Sequence, residues 1–119
     1  MTQADTTDLR RPLSDAFGMR HAEELLSFRS MFGAACGYAD GVVFASLSNV
    51  GLALKLSARD RDELLRIPGA KRLRYEPDAP ESLQSVVVPD SMVGDVPELA
   101  DWVEKSVTWV RRLPKKKRK

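Results

Sequence analysis

The stretch of sequence that decides the fold is residues 30–56, which read SMFGAACGYADGVVFASLSNVGLALKL. It contains three apolar runs of strand length, separated by two short turn sequences. Asp40-Gly41 is a strong signal for a two-residue hairpin turn, and residues 48–51 include the Asn and Gly that tolerate a positive φ angle. The stretch therefore predicts a three-stranded antiparallel meander, with strands over residues 32–39, 42–47 and 52–56.

Two glycines, Gly33 and Gly37, lie inside the first predicted strand. A glycine within a strand usually marks a β-bulge or a place where another part of the chain approaches the backbone closely. The sequence favours such a structural role, in which the two glycines shape the backbone. The alternative is that their backbone cradles a ligand.

A short helix is predicted after the meander, and a long amphipathic helix near the C-terminus. Ser57, with Asp60 three residues later, resembles a capping box that begins the short helix, which ends at Pro68-Gly69. Two further strands are predicted over residues 71–76 and 83–88. Asp95 is the predicted N-cap of the long helix. Its predicted buried stripe has spacings of three and four, with the residues Leu99, Trp102, Val103, Ser106, Val110 and Leu113.

The N-terminal third carries weaker patterns. Ser14-Asp15 predicts the start of a helix that runs to Leu26, and residues 1–11 are predicted to form a flexible tail. A single domain over residues 12–113 and a basic, disordered tail over residues 114–119 complete the predicted organisation. The element order predicts an α+β fold with an α-β3-α-β2-α arrangement, in which helices pack on a mostly antiparallel sheet.

The stretch of residues 30–56, with its Met31-Phe32-Gly33 turn, Asp40-Gly41 and Leu54-Lys55, resembles the N-terminal domain of the TfoX/Sxy family. The members of this family are bacterial proteins associated with the regulation of DNA-uptake competence. The resemblance covers about residues 28–113 and implies a two-layer arrangement similar to secretion-chaperone-like folds. It also implies a stand-alone TfoX N-terminal-like protein, since the competence regulators of the family typically add a second, helical domain. The positions that carry the family signature, with a structural role, are Met31, Phe32, Gly33, Gly37, Asp40, Gly41, Phe44, Leu54, Lys55, Pro89 and Trp102.

Length and composition indicate a soluble domain of the cytoplasm. A chain of 119 residues is long enough to bury a proper core. Its single cysteine, Cys36, excludes an intrachain disulfide and fits a reducing compartment. The first eight residues lack the basic start and apolar centre of a secretory signal, and no apolar run approaches the length of a membrane span. We therefore expect a cytoplasmic protein without a membrane partner.

The charge of the chain is unevenly distributed. The formal net charge is +2, and removing the five cations of residues 115–119 leaves −3. These cations would bind a nucleic-acid backbone weakly and without sequence preference. The run also resembles a nuclear-import signal, or a sequence added for expression. The candidate nucleic-acid contacts are Arg111, Arg112, Lys115, Lys116, Lys117, Arg118 and Lys119.

The sequence contains no pattern typical of an active site, a metal site or a cofactor site. His21 is the only histidine, and no cysteine or second histidine lies at metal-ligand spacing. Cys36 is expected to be a small buried hydrophobe. Asp60, Asp62 and Glu63 are expected to solvate the surface of a short helix. We therefore expect no catalytic residues, no metal and no cofactor, and a protein that is not an enzyme.

Two functional hypotheses follow. The resemblance implies a regulatory adaptor that acts through contact with a protein partner in transcription regulation, and Trp109, at the edge of the predicted stripe, is the candidate partner contact. The alternative is an accessory nucleic-acid-binding protein that uses its basic tail. An exposed strand edge would also allow a homodimer, although no sequence pattern specifies one.

Overall fold

The computed structural model describes residues 6–21, 25–31, 34–48, 50–74 and 84–112. Four helices and six strands lie within these ranges. Their order along the chain is α1 Thr6–Arg20, β1 Leu26–Met31, β2 Ala34–Ala39, β3 Val42–Ser48, β4 Gly51–Lys55, α2 Ala58–Leu65, β5 Lys71–Arg72, β6 Ser85–Val87, α3 Asp90–Val93 and α4 Val96–Arg112.

The six strands form one antiparallel sheet in the order β1-β2-β3-β4-β6-β5. Residues from all four helices pack with one face of this sheet in a single hydrophobic core. The predicted α+β class with a mostly antiparallel sheet is confirmed. The arrangement differs in detail, because four strands rather than three precede α2 and the short helix α3 precedes α4.

β1 begins at Leu26, the residue at which the sequence predicts that the N-terminal helix ends. Leu26 and Phe28 pack against the core, whereas Ser27 and Arg29 are exposed. This alternation has the period of two that is typical of a half-buried strand. The predicted extension of the helix to Leu26 is therefore wrong, since the residues in this segment reach the core only in the extended conformation.

α1 begins at Thr6, earlier than the predicted start at Ser14. Leu9 packs against the core, and both Leu13 and Phe17 are buried, so the apolar stripe of the helix crosses Pro12. Residues 6–11 are thus helical rather than part of a flexible tail. Residues 1–5 lie outside the described residues.

Asp40 and Gly41 form the tight turn between β2 and β3. Their φ angles are 50° and 87°, the two positive values that a type I′ turn requires. The backbone N–H of Asp40 donates to the carbonyl of Leu25 at 2.8 Å, and the N–H of Leu25 donates to Asp40 Oδ1 at 3.0 Å. The turn therefore also fixes where β1 begins.

A β-bulge interrupts the pairing of β2 with β3. Gly37 pairs with Ala45, but the next residue, Tyr38, pairs with Val43, so Phe44 is the extra residue. The carbonyl of Phe44 accepts a hydrogen bond from the Ser106 hydroxyl of α4, at 3.0 Å. This buried bond therefore connects the bulge directly to the helical layer.

Gly37 also lies where α1 approaches the sheet. A Cβ atom added at this position would lie 3.4 Å from Leu13 Cδ2 and 3.7 Å from Phe28 Cε1. The expectation for Gly37 is therefore confirmed, because the residue lies both at a bulge and where another element approaches the backbone closely. Gly33 lies outside the described residues.

The predicted caps of α2 and α4 are both present. Ser57 Oγ accepts from the N–H of Asp60 at 3.2 Å, and Asp95 Oδ1 accepts from the N–H of Glu98 at 3.3 Å.

The later strands are shorter than predicted. β5 and β6 are both short, and residues 75–83 between them lie outside the described residues. Of the predicted stripe of α4, the structure buries Leu99, Trp102, Val103, Ser106 and Val110, while Leu113 lies outside the described residues.

Candidate partner-binding groove

A groove of about 460 Å³, open to solvent, lies between the start of α2 and the length of α4. Charged and hydroxyl-bearing side chains form most of its walls, together with one indole ring. The lining residues are Ser57, Asp60, Asp101, Glu104, Lys105, Thr108, Trp109 and Arg112. We call this feature the α2–α4 groove.

The periodicity of α4 places its lining residues on one side of the helix. Positions 101, 104, 105, 108, 109 and 112 follow spacings of three and one, which fit a helical period of 3.6 residues. This side lies next to the buried stripe that docks α4 on the sheet. The wall is therefore held by the same core contacts that stabilise the helix.

The opposite wall is fixed by the cap of α2. Leu56, immediately before the cap, is fully buried, and its carbonyl accepts from Arg61 Nη1 at 2.7 Å. The Ser57 hydroxyl is engaged in capping, as described above. These local bonds hold Ser57 and Asp60 opposite α4 at the point where the chain leaves β4.

The carboxylates of α4 are paired with a cation from α1. Arg20 Nη1 donates to Glu104 Oε1 at 2.9 Å, and Arg20 Nη2 donates to Asp101 Oδ1. All three side chains are exposed, and ion pairs of this kind contribute roughly 0–1 kcal/mol to stability. Their main effect is to balance the negative charge at this end of the groove.

Two cations, Lys105 and Arg112, also lie on the α4 wall. Lys105 Nζ lies 5.4 Å from the centroid of the Trp102 ring, and Arg112 is exposed in the last turn of the helix. Both signs of charge are thus interspersed along the groove. Such a surface suits a partner that carries both acidic and basic groups.

Trp109 is the one large apolar side chain among the described residues that line the groove. It is half-buried, since part of the ring packs against the hydrophobic core. A rigid, partly exposed tryptophan of this kind is typical of residues that anchor a protein partner.

Most signature residues lie in the core or at turns rather than in the groove. Phe44, Leu54, Pro89 and Trp102 are buried, and Lys55 is half-buried. Gly37 lies at the bulge, Asp40 and Gly41 form the β2–β3 turn, and Met31 ends β1. Phe32 and Gly33 lie outside the described residues.

The structure separates the two candidate nucleic-acid contacts that it describes. Arg111 Nη1 lies 3.8 Å from Asp40 Oδ2, at the β2–β3 turn, whereas Arg112 lines the groove. The other candidates, Lys115, Lys116, Lys117, Arg118 and Lys119, lie outside the described residues.

The residues considered for chemistry are not brought together. His21 is half-buried, and its ring centroid lies 5.1 Å from that of Phe17. Cys36 is half-buried on the sheet face away from the helices rather than in the core, which corrects the expectation of a buried hydrophobe. Among the described residues, no group of three or more His, Cys, Asp or Glu side chains is placed to hold a metal ion.

Sequence reasoning identified Trp109 but not the groove around it. Its α2 wall depends on Ser57 and Asp60, which the sequence marked only as a helix start. The α4 wall was visible as a second helical stripe, at positions 101, 104, 105, 108, 109 and 112, but a stripe of mixed charge resembles any solvated helix surface. The part played by Arg20 could not be read from the sequence, because 81 residues separate it from Asp101.

No helix within the described residues is both long and apolar enough to cross a membrane. The fold is that of a small α+β domain, with helices on one face of an antiparallel sheet. The chain belongs to the TfoX N-terminal domain family, whose family model matches residues 20–109. No curated protein and no solved structure matches the chain.

Proposed function

We propose that this protein is a small, non-enzymatic regulatory adaptor of the cytoplasm that binds a protein partner through the α2–α4 groove. The observation that carries the proposal is the position of Trp109, a partly exposed indole in a groove whose charged walls have both signs. Membership of the TfoX N-terminal domain family supports a role in transcription regulation. Competence regulation is the process that the family resemblance suggests.

The proposed contact has the composition of a protein interface. Tryptophan and arginine are enriched among the residues that contribute most to binding between proteins, and a rim of polar groups commonly surrounds them. In the groove, Trp109 would supply the anchor, while Lys105 and Arg112 would orient a partner with acidic groups. We expect Trp109→Ala to remove most of the affinity and charge changes at the rim to alter mainly the rate of association.

The test uses a photo-crosslinking amino acid introduced at Thr108, which is exposed in the groove, and at Met19, which is exposed on α1. Both forms are expressed in bacterial cells and irradiated. A discrete protein adduct that forms from position 108, that does not form from position 19 and that is lost when Trp109→Ala is added supports the proposal. Identical adducts from both positions, or adducts that do not depend on Trp109, would reject it.

A second candidate function is accessory binding of nucleic acid through the basic tail. The supporting observation is the run of five cations at residues 115–119, next to the exposed Arg112. Binding would be weak and independent of sequence, with a log-log salt slope of roughly −0.7 to −0.9 for each phosphate contacted. Removal of residues 114–119 would abolish it.

We also propose that a homodimer, if one forms, uses a free edge of the sheet. β1 and β5 are the two edge strands, and β1 is the longer. Strand addition at β1 would join two sheets without disturbing either core. Sedimentation of the chain with and without a proline at Ser30, whose backbone N–H points away from β2, would distinguish this arrangement from a monomer.

A further inference from the structure

The segment that joins α2 to β5 carries charge of one sign. Residues 64–74 contain no Asp or Glu, and their four cations are Arg66, Lys71, Arg72 and Arg74. The carboxylates of α2 lie earlier in the helix, within residues 60–63. Among the described residues, therefore, the end of α2 and the edge strand β5 form a cationic region at one side of the sheet.

Backbone hydrogen bonds and core contacts hold this segment in place. The N–H groups of Ile67 and Ala70 donate to the carbonyls of Leu64 and Ile67, at 2.9 and 3.1 Å. Ile67 and Ala70 also pack against the hydrophobic core, and Leu73 is buried in a small second cluster on the other face of the sheet. The apolar residues thus anchor the segment and leave its cations nearer the surface.

Strand pairing places the cations on both faces of the sheet edge. Lys71 pairs with Val87, which belongs to the cluster on the face away from the helices. Arg72 pairs with Val86, which is buried in the core beneath the helices. Arg66, the C-cap residue of α2, is exposed at the end of that helix. The edge therefore has cations on both of its sides.

Lys55 extends this region across the sheet face that lies away from the helices. It pairs with Ser85 of β6, and Lys71 pairs with Val87, two residues further along the same strand. Two strand spacings and two residues of rise separate the Cα atoms of the two lysines by about 12 Å. Side chains at this separation can contact different anionic groups. We call the set of Lys55, Arg66, Lys71 and Arg72 the basic corner.

The side chains of the basic corner are unpaired within the part of the chain that the structure describes. No salt bridge or side-chain hydrogen bond there involves any of the four. Arg66 and Lys71 are exposed, while Lys55 and Arg72 are half-buried. Arg74 is already engaged within the chain, so it is not part of the site. A group of unpaired cations attracts a polyanion.

Structural roles explain only part of this arrangement. Charged side chains on a short edge strand prevent pairing with another chain, which accounts for Lys71 and Arg72. A cation at Arg66 also complements the dipole of α2. Neither reason applies to Lys55, which lies on β4, an interior strand of the sheet.

The composition of the basic corner favours phosphate groups over a protein partner. Protein interfaces are anchored by large apolar or aromatic side chains, whereas the large hydrophobic residues exposed in the described chain, Met19 and Leu25, lie on α1 and beside β1. Residues 64–74 contain no aromatic ring on which an unpaired base could stack. The phosphates of a duplex lie on its outside and are bound through cations alone, so that no pocket is needed.

We propose that the basic corner binds the phosphate backbone of a nucleic-acid duplex, without sequence preference. Each of its four cations contacts a phosphate, and the two guanidinium groups can do so through paired hydrogen bonds. The inference depends neither on the α2–α4 groove nor on residues 113–119, since the corner shares no residue with either.

The test measures binding of fluorescent twenty-base-pair DNA and RNA duplexes by anisotropy over a salt series, because both present the proposed backbone. Each contact with a DNA phosphate contributes about −0.9 to the slope of log K against log salt, so Arg66→Gln with Lys71→Gln should make the DNA slope shallower by about 1.8. Arg11→Gln with Arg29→Gln removes the same charge from exposed positions on α1 and β1, and it should leave the slope nearly unchanged. Both double variants keep the basic tail, so a contribution from the tail cancels.

The outcomes separate the basic corner from other sites. Equal slopes for the two double variants overturn the proposal, and so does the absence of duplex binding by the full chain at low salt. Tighter binding of poly-glutamate than of either duplex, at equal salt, would assign the corner to an acidic protein segment and overturn it as well. Trp109→Ala should bind the duplex as the wild type does. If Arg66→Gln lowers the midpoint of thermal unfolding, Lys55→Gln with Lys71→Gln replaces the first double variant and carries the same expectation.

Discussion

At the residue scale, the hydrogen bond from Ser106 to the bulge gives a direct test of how α4 is attached to the sheet. In Ser106→Ala the carbonyl of Phe44 loses a buried donor, which costs about 1–3 kcal/mol, reduced slightly by the better helix propensity of alanine. We expect the midpoint of thermal unfolding to fall by about 4 °C or more. Thr108→Ala, an exposed change on the same helix, should leave the midpoint nearly unchanged. Equal midpoints for the two variants would mean that the bond does not hold the bulge.

Substitutions at Gly37 test whether α1 can pack on the sheet only when this strand position has no large side chain. A methyl group there would be in ordinary contact with Leu13 and Ala45, at 3.4 and 3.5 Å, so Gly37→Ala should be tolerated. The additional carbons of Gly37→Val have no space, and overpacking of this kind typically costs about 1–3 kcal/mol. Urea denaturation should therefore give a clearly lower midpoint for valine than for alanine. If the two variants were equally stable, α1 would not lie against this strand as described.

At the element scale, the meander was predictable because its signals are local, whereas β1 was not. Asp40-Gly41 and the apolar runs around it specify strands and a turn within a few residues of one another. The segment from Leu26 to Arg29 has only four alternating residues, too few to distinguish a strand from the end of a helix. Pairing with β2 and the hydrogen bond between Leu25 and Asp40 hold this segment in the extended conformation. The same reasoning explains the early start of α1, where Leu9 gains a core contact that no local pattern announces.

The position of α1 can be tested through Leu13. This side chain is fully buried between the helix and the sheet, and Leu→Ala changes at such sites cost about 2–5 kcal/mol. Met19, which is 52% exposed on the same helix, is the matched control, since Met19→Ala should change stability by less than about 0.5 kcal/mol. Chemical denaturation of both variants measures the difference. A similar, small effect from each would show that α1 is not docked on the core.

At the scale of the whole molecule, the candidate binding groove arises from parts of the chain that are far apart in sequence. The α2–α4 groove joins Asp60 to residues of α4 that lie about forty to fifty positions later. Sequence reasoning identified one member of this groove, Trp109. It could not assemble the groove, because helix docking brings the members together only in the folded chain.

The charge of the whole molecule divides between a mildly acidic body and the basic tail. Truncation after Leu113 changes the formal net charge from +2 to −3, because it removes five cations and no carboxylate. We expect the truncated chain to lose its retention on a cation exchanger at pH 7 and to bind an anion exchanger instead. Its thermal midpoint should stay within about 4 °C of that of the full chain, since the described core contains no residue of the tail and 1 kcal/mol corresponds to at least that shift. A larger fall would mean that the tail packs on the domain and contributes to its stability, in which case its cations would not be free to contact a nucleic acid.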